Sequence, residues 1–113
     1  MLKGEDYWDG SIIHDMIDFP VGKHCVKTFA NLPTSPYQML VQSGKKHGDK
    51  IGVWTDSMES YTYSDIVHMV DRLAEHLFQI GVGKGTRVGI IASNSTDFVI
   101  SYFAVNSLGA IFT

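Results

Sequence analysis

Charge is nearly absent from the last quarter of this chain: from Val88 to Thr113 the only charged side chain is Asp97. Helices and strands that face water carry a polar side, so a stretch without one belongs in the middle of a larger sheet, covered on both faces. Cysteine is scarcer still. Cys25 stands alone, which excludes an intramolecular disulfide framework and a multi-cysteine metal site. Three prolines and 11 glycines are too few for a collagen-like or low-complexity chain. Apolar runs are short, and none approaches the roughly 18 residues that a membrane-spanning helix requires. The opening residues Met1 to Asp6 include Glu5 and Asp6, where a secretory signal would carry bases followed by an apolar run. Basic charge is also limited. Nine Lys and Arg against 12 Asp and Glu leave a net charge of −3, so no basic stripe is available for nucleic acid or an anionic membrane. These absences point to a soluble, cytoplasmic protein without a nucleic-acid partner.

What is present is a hydrophobic content of 44% in 113 residues, enough for one domain or part of one. Residues 1–34 read as an extended or short-helix segment. Ile12, Ile13, Met16 and Ile17 fit a helical turn or two, and Pro20, Gly22 and Pro33 then interrupt the pattern. From 35 to 113 the signals sharpen. Ser35 is placed to cap a helix, Pro36 suits its first position, Gln38 completes a capping box, and Gly48 is expected as a left-handed stop. Ile51 to Thr55 and Ser60 to Tyr63 read as strands around a polar turn. Thr62 and Asp65 form a second capping box. Ile66, Val70, Leu73, Ala74, Leu77 and Phe78 follow it as the apolar side of a helix reaching about Ile80. Gly81 with Val82 fits a Schellman ending. Val88 to Ala92 is suited to a buried parallel strand. Ser95 caps a helix that Gly109 ends, and Ala110 starts another strand. Strand, helix, strand is a βαβ unit with an expected right-handed crossover. The predicted class is α/β, a mainly parallel sheet flanked by helices. Phe98, Val99, Tyr102 and Phe103 are predicted to share the sheet-packing side of the last helix, with Val105 turned away from them. The apolar run at Ala110 to Thr113 reads as a chain ending inside a strand.

Candidate chemistry is sparse. Gly81-Val82-Gly83-Lys84-Gly85-Thr86 has the flavour of a phosphate loop, but Gly85 separates Lys84 from Thr86 and the segment leaves a helix rather than entering one. A helix stop and turn is the simpler reading. His14, His24, His47, His68 and His76 lack metal-ligand spacing, and His68 and His76 fall near the polar side of their helix. Cys25 has no local cue for a lowered pKa. Asp15 with Asp18, and Asp71 with Glu75, are carboxylate pairs suited to a solvated face. No catalytic, cofactor-binding or metal-ligating residue is assigned, and no cofactor is expected on the chain itself.

Five short motifs in order resemble a known family. Tyr61-Thr62-Tyr63-Ser64-Asp65-Ile66, a helix carrying Arg72-Leu73-Ala74, and Gly81-Val82-Gly83-Lys84-Gly85-Thr86-Arg87-Val88 come first. Ser93-Asn94-Ser95-Thr96-Asp97-Phe98 and Leu108-Gly109-Ala110-Ile111-Phe112-Thr113 follow. Together, with Pro36 to Leu40 and Gly48 to Val53 upstream, they resemble the adenylate-forming superfamily over residues 33–113. That superfamily includes acyl-CoA synthetases and peptide-synthetase adenylation domains. Asp65 and Asp97 stand where the family has Glu, Thr86 where it has Asp, and Thr96 where it has Pro. The resemblance implies the first part of an AMP-binding N-terminal domain, and a parent enzyme using ATP, Mg and CoA to convert a carboxylic acid to an acyl-adenylate and then a thioester. The phosphate loop, ribose-binding Asp and catalytic Lys of the family have no counterpart in these 113 residues, so the chain alone is expected to be inactive and its partner is the remainder of the parent enzyme. Fatty acid metabolism is an expectation from the resemblance alone. Two other readings stay open: a non-catalytic interaction module reusing the first layer of the fold, and part of a peptide-synthetase adenylation domain.

Overall fold

A computed structural model describes residue 10 and residues 14–113. The chain divides into two compact units, Met1–Leu32 and Pro33–Thr113.

In the first unit, strands β1 (Met16–Val21) and β2 (His24–Phe29) pair antiparallel, in register from Met16 opposite Phe29 to Val21 opposite His24. Gly22 and Lys23 make the two-residue connection, and Gly22 takes φ 61°, a conformation that glycine adopts at little cost. Met16 and Ile17 are therefore in a strand, not in the expected helical turn; Ile12 and Ile13 lie outside the described residues. The alternation Ile17, Phe19, Val21 on one face, joined to Val26 through a glycine turn, outweighs the helical spacing. Asp18 and Lys27 form an exposed cross-strand ion pair at 3.0 Å on the other face.

The second unit holds three helices. Helix α1 (Pro36–His47) starts at Ser35, whose hydroxyl accepts from the Gln38 amide at 3.1 Å. The Gln38 side chain does not close the expected box on Ser35. Its Oε1 accepts instead from the amide and hydroxyl of Thr34. Strands β3 (Ile51–Trp54) and β4 (Ser60–Thr62) form an antiparallel hairpin with a register shift between Ile51 and Val53. Helix α2 (Tyr63–Gln79) opens on a complete capping box, with the Asp65 amide on Thr62 Oγ1 at 3.2 Å and the Thr62 amide on Asp65 Oδ2 at 2.9 Å. It closes as the sequence leads one to expect. Val82 N–H donates to Leu77 C=O and Gly81 N–H to Phe78 C=O, with Gly81 at φ 95°.

Strands β5 (Arg87–Val88) and β6 (Ile111–Phe112) pair in parallel on either side of helix α3 (Thr96–Ser107), which completes the βαβ unit. Ser95 Oγ caps α3 by accepting from the Phe98 amide at 3.3 Å. Ala110 N–H to Val105 C=O and Gly109 N–H to Asn106 C=O close it in the same way as α2.

Two expectations need correction. Among the described residues the strands form three separate two-stranded pairs, two antiparallel and one parallel, and not a mainly parallel sheet. The expected strand Val88 to Ala92 is regular only to Val88, because its partner supplies few residues: the last bonds are Thr113 N–H to Val88 C=O and Ile90 N–H to Thr113 C=O. Helix α3 turns Phe98 and Tyr102 to the sheet as expected, whereas Phe103 packs with the helices. The buried positions of α3 are Ile100, Ala104 and Val105, while Phe98 and Tyr102 lie against Phe112 of β6, ring centroids 5.6 and 5.4 Å away. The helix thus presents small and aliphatic residues to the other helices and aromatic residues to the strand. Leu40 of α1, Ile66, Val70 and Ala74 of α2, and Ile100 and Ala104 of α3 form one core cluster, with Tyr37, Val53 and Phe103 packed around it. Each fully buried aliphatic side chain there contributes about 1.5–3 kcal/mol of transfer free energy.

Candidate functional site

The Gly81 to Thr86 segment is a helix stop and turn. Thr86 N–H donates to Gly83 C=O at 3.0 Å, and the Gly83 amide donates to Thr86 Oγ1 at 3.1 Å. The Gly85 amide, which a phosphate loop would offer to an anion, donates to Gly109 C=O at 3.0 Å. These amides are used to seat β5 beside the end of α3. Thr86 does by hydroxyl what a carboxylate could do at this turn, which accounts for Thr where the resembling family has Asp.

The other candidates are dispersed. His14 hydrogen-bonds Asp15 at 2.8 Å, both exposed, and Asp18 pairs with Lys27. His24 and Cys25 are exposed on β2, and His47 lies in the last turn of α1. His68 is exposed on α2, and His76 donates from Nδ1 to the Arg72 carbonyl at 2.8 Å, one turn back in the same helix. Glu75 is exposed on that helix too. Asp71 is not merely solvated: it accepts from the Tyr37 hydroxyl at 2.7 Å and ties α1 to α2. That hydrogen bond, with partial burial and the carboxylate's charge, raises the Tyr37 pKa and keeps the phenol protonated. Among the described residues no three His, Cys, Asp or Glu side chains come together in a way that could hold a metal ion.

Folding does gather one polar cleft that sequence spacing did not reveal. The β3–β4 turn and the N-terminus of α3 enclose about 410 Å³, with Asp56, Glu59, Tyr61, Asn94 and Asp97 among its walls. Tyr61 donates to Glu59 Oε2 at 3.4 Å, and the charge of Glu59 leads the causes that raise the Tyr61 pKa, with a smaller push from Asp97. Three carboxylates around a helix N-terminus offset the field that would attract a phosphate there. The signal in the sequence was weak, since Glu59 and Asp97 are far apart along the chain and meet only after both elements pack.

The geometry thus offers a βαβ unit with capped helices and a phosphate-loop lookalike whose amides are internally bonded. Against known proteins, the model of the AMP-binding enzyme family matches residues 40–113. The chain belongs to the AMP-binding enzyme family. A sequence relative in this family is 4-coumarate–CoA ligase 2 from Oryza sativa subsp. japonica, 28% identical over 94 residues, covering 83% of this chain and 14% of the ligase. The hybrid PKS-NRPS synthetase thnA of Trichoderma harzianum is 30% identical over 86 residues, covering 76% of this chain and 2% of the synthetase. The fold matches the Klebsiella oxytoca NpsA N-terminal subdomain, solved in complex with 3-hydroxyanthranilyl-AMSN. The TM-score is 0.68 at 20% identity, over 72% of this chain and 21% of that one. This AMP-binding enzyme chain thus spans about one-seventh of the rice ligase. The mixed α/β class matches that of the NpsA N-terminal subdomain, and no helix among the described residues is long and apolar enough to cross a membrane.

Proposed function

We propose that the chain is the first section of the large domain of an AMP-forming acid–thiol ligase, of acyl-CoA ligase type, and that its role there is to build scaffold. The parent would join a carboxylate to ATP, releasing pyrophosphate and forming an acyl-adenylate, after which the CoA thiol displaces AMP. ATP, Mg and CoA belong to that parent reaction. The observation that carries the reading is the family match over residues 40–113 on a chain whose glycine-rich turn already uses its amides on Gly83, Thr86 and Gly109. Such a turn holds secondary structure, and the amides of Gly83, Gly85 and Thr86 are spent inside the fold rather than offered to a triphosphate.

The likeness to a 4-coumarate–CoA ligase supports a CoA acceptor, and the Asn94-Ser95 turn points the same way. Reading the coding frame past Thr113 tests this directly. The expected continuation contains a Gly-, Ser- and Thr-rich phosphate loop; a frame lacking one would overturn the proposal, and a following carrier-protein domain would move the acceptor from CoA to a carrier thiol. The 113-residue chain, incubated with MgATP and a panel of carboxylates, should release no pyrophosphate above a heat-treated control.

A further inference from the structure

The dipeptide Asn-Ser occurs twice in the chain, at Asn94-Ser95 and at Asn106-Ser107, and the fold treats the two differently. Asn106 lies inside α3, half-buried, with its side-chain amide donated to the Tyr102 carbonyl at 2.7 Å. Ser107 is the last residue of that helix, so the peptide between the two is held in helical geometry. Asn94 precedes the same helix. It is exposed in a bend, on the wall of the cleft that Asp56, Glu59 and Asp97 also line.

The backbone nitrogen that follows Asn94 decides its chemistry. Ser95 caps α3 through its hydroxyl, which accepts from the Phe98 amide. A full capping box also engages the cap residue's own amide, through an acidic or amide side chain three residues on. Helix α2 has this bond, from the Thr62 amide to Asp65 Oδ2 at 2.9 Å. In α3 the corresponding residue is Phe98, which has no acceptor, and among the described residues the Ser95 amide has no partner. Asparagine is a thermolabile residue, because the next backbone nitrogen can attack its side chain and close a five-membered ring. A hydrogen bond or a helical backbone restrains that nitrogen. Ser95 has neither restraint.

We infer that Asn94 is a self-modifying site, at which the Ser95 backbone nitrogen closes on the Asn94 side chain and the residue becomes a carboxylate. The nitrogen bonds to Asn94 Cγ, the bond from Cγ to the side-chain nitrogen breaks, and the Ser95 amide proton leaves with that nitrogen as ammonia. Water then opens the cyclic imide, its hydroxyl going to one ring carbonyl and its proton to the ring nitrogen. Opening at the side-chain carbonyl gives aspartate. Opening at the main-chain carbonyl gives isoaspartate, in which the chain runs through the former side chain. Either product adds a negative charge to a cleft that already holds Asp56, Glu59 and Asp97, ahead of the positive end of α3. The reaction is local and does not depend on the proposed ligase.

Peptide mapping by mass spectrometry tests this on the 113-residue chain aged in neutral buffer. Asn94 should convert on the order of tenfold faster than Asn106, which must wait for its helix to open. The products should include both aspartate and isoaspartate, with ammonia released in step. Ser95→Thr keeps a capping hydroxyl while its branched side chain crowds the nitrogen, and should slow the conversion severalfold without changing the helical circular dichroism. Equal rates at Asn94 and Asn106 would overturn the inference, since the dipeptide and not the fold would then decide. Aspartate without isoaspartate would also overturn it, because direct hydrolysis forms no ring. So would an Asn94 that stays intact in the folded chain for as long as it takes to convert in the chain unfolded by urea.

Discussion

Asp65 shows how one side chain couples the start of a helix to pH. Its carboxylate accepts from the hydroxyl of Thr62 at 2.7 Å and from the Thr62 amide at 2.9 Å. The hydroxyl bond first, then the amide bond, hold its pKa below the ordinary 3.8, with a smaller contribution from His68. The positive end of the α2 dipole acts in the same direction. A carboxyl whose folded pKa is depressed contributes stability that is fully present above its unfolded value, and that is lost as pH falls toward the folded one. The melting temperature of the parent chain should therefore drop through this acid window more steeply than that of Asp65→Asn, which lacks the titrating group. Parallel slopes for the two proteins would show that Asp65 has no role in the acid response. Both halves of this box were legible, because Thr62 and Asp65 are spaced for mutual capping by local geometry alone. Gly48 was not. The expected left-handed stop takes φ −50°, and glycine is needed for another reason: a Cβ there would lie 2.5 Å from Ser64 Oγ and 2.8 Å from Gly44 O. That reason is tertiary, and no local pattern announces it. Gly48→Ala should cost about 1–3 kcal/mol by overpacking, measured by denaturant unfolding, and adding Ser64→Ala should recover part of the loss. A Gly48→Ala protein as stable as the parent would show that the α1–α2 junction gives way easily.

At the level of elements, helices were readable from local signals, and strands only in part: the runs at Ile51 to Thr55 and Ser60 to Tyr63 became β3 and β4 as expected, while others were missed or shortened. Each helix carries its own signals: Ser35, Thr62 and Ser95 at the starts, Gly81 and Gly109 just past the last two ends. Strands depend on who pairs with them. The Val88 to Ala92 run is apolar enough for a central strand, yet its regular part stops at Val88 because few residues lie opposite. The β1–β2 hairpin was missed although its signal was there, in the alternation of Ile17, Phe19 and Val21 before Gly22. Helix α3 is the instructive intermediate case. Its boundaries were legible, but an apolar helix with little polar side to orient it leaves its core face undetermined. The face packed in the core carries Ile100 and Ala104, where small size lets α1 and α2 approach. Ala104 is wholly buried, so Ala104→Leu should destabilise by about 1–3 kcal/mol through overpacking. Ile100→Ala should cost about 2–5 kcal/mol through the cavity it leaves. Chemical denaturation of the two variants checks both figures, and a stable Ala104→Leu protein would mean the helices are farther apart than the core cluster requires.

No candidate site was legible because the chemistry-bearing side chains are spread along separate elements, and a polar cleft assembles only when the β3–β4 turn meets the start of α3. The distribution of the core leads to a further test. Every residue of the core cluster lies between Leu40 and Ala104, and the side chains packed around it lie between Tyr37 and Leu108. All of these belong to the unit Pro33–Thr113. The described strands of the unit Met1–Leu32 form a two-stranded hairpin of a kind that is marginal by itself in water. A chain shortened to residues 33–113 should therefore keep the far-ultraviolet circular dichroism of α1, α2 and α3 and unfold in one cooperative step, because the helices bury their apolar sides on one another. Its melting temperature should stay within a few degrees of the parent, a shift that corresponds to under about 1 kcal/mol for a domain of this size. Loss of the helical signal on removing residues 1–32 would mean that the three-helix core is not sufficient by itself, and that part of its stability comes from the segment ahead of Pro33.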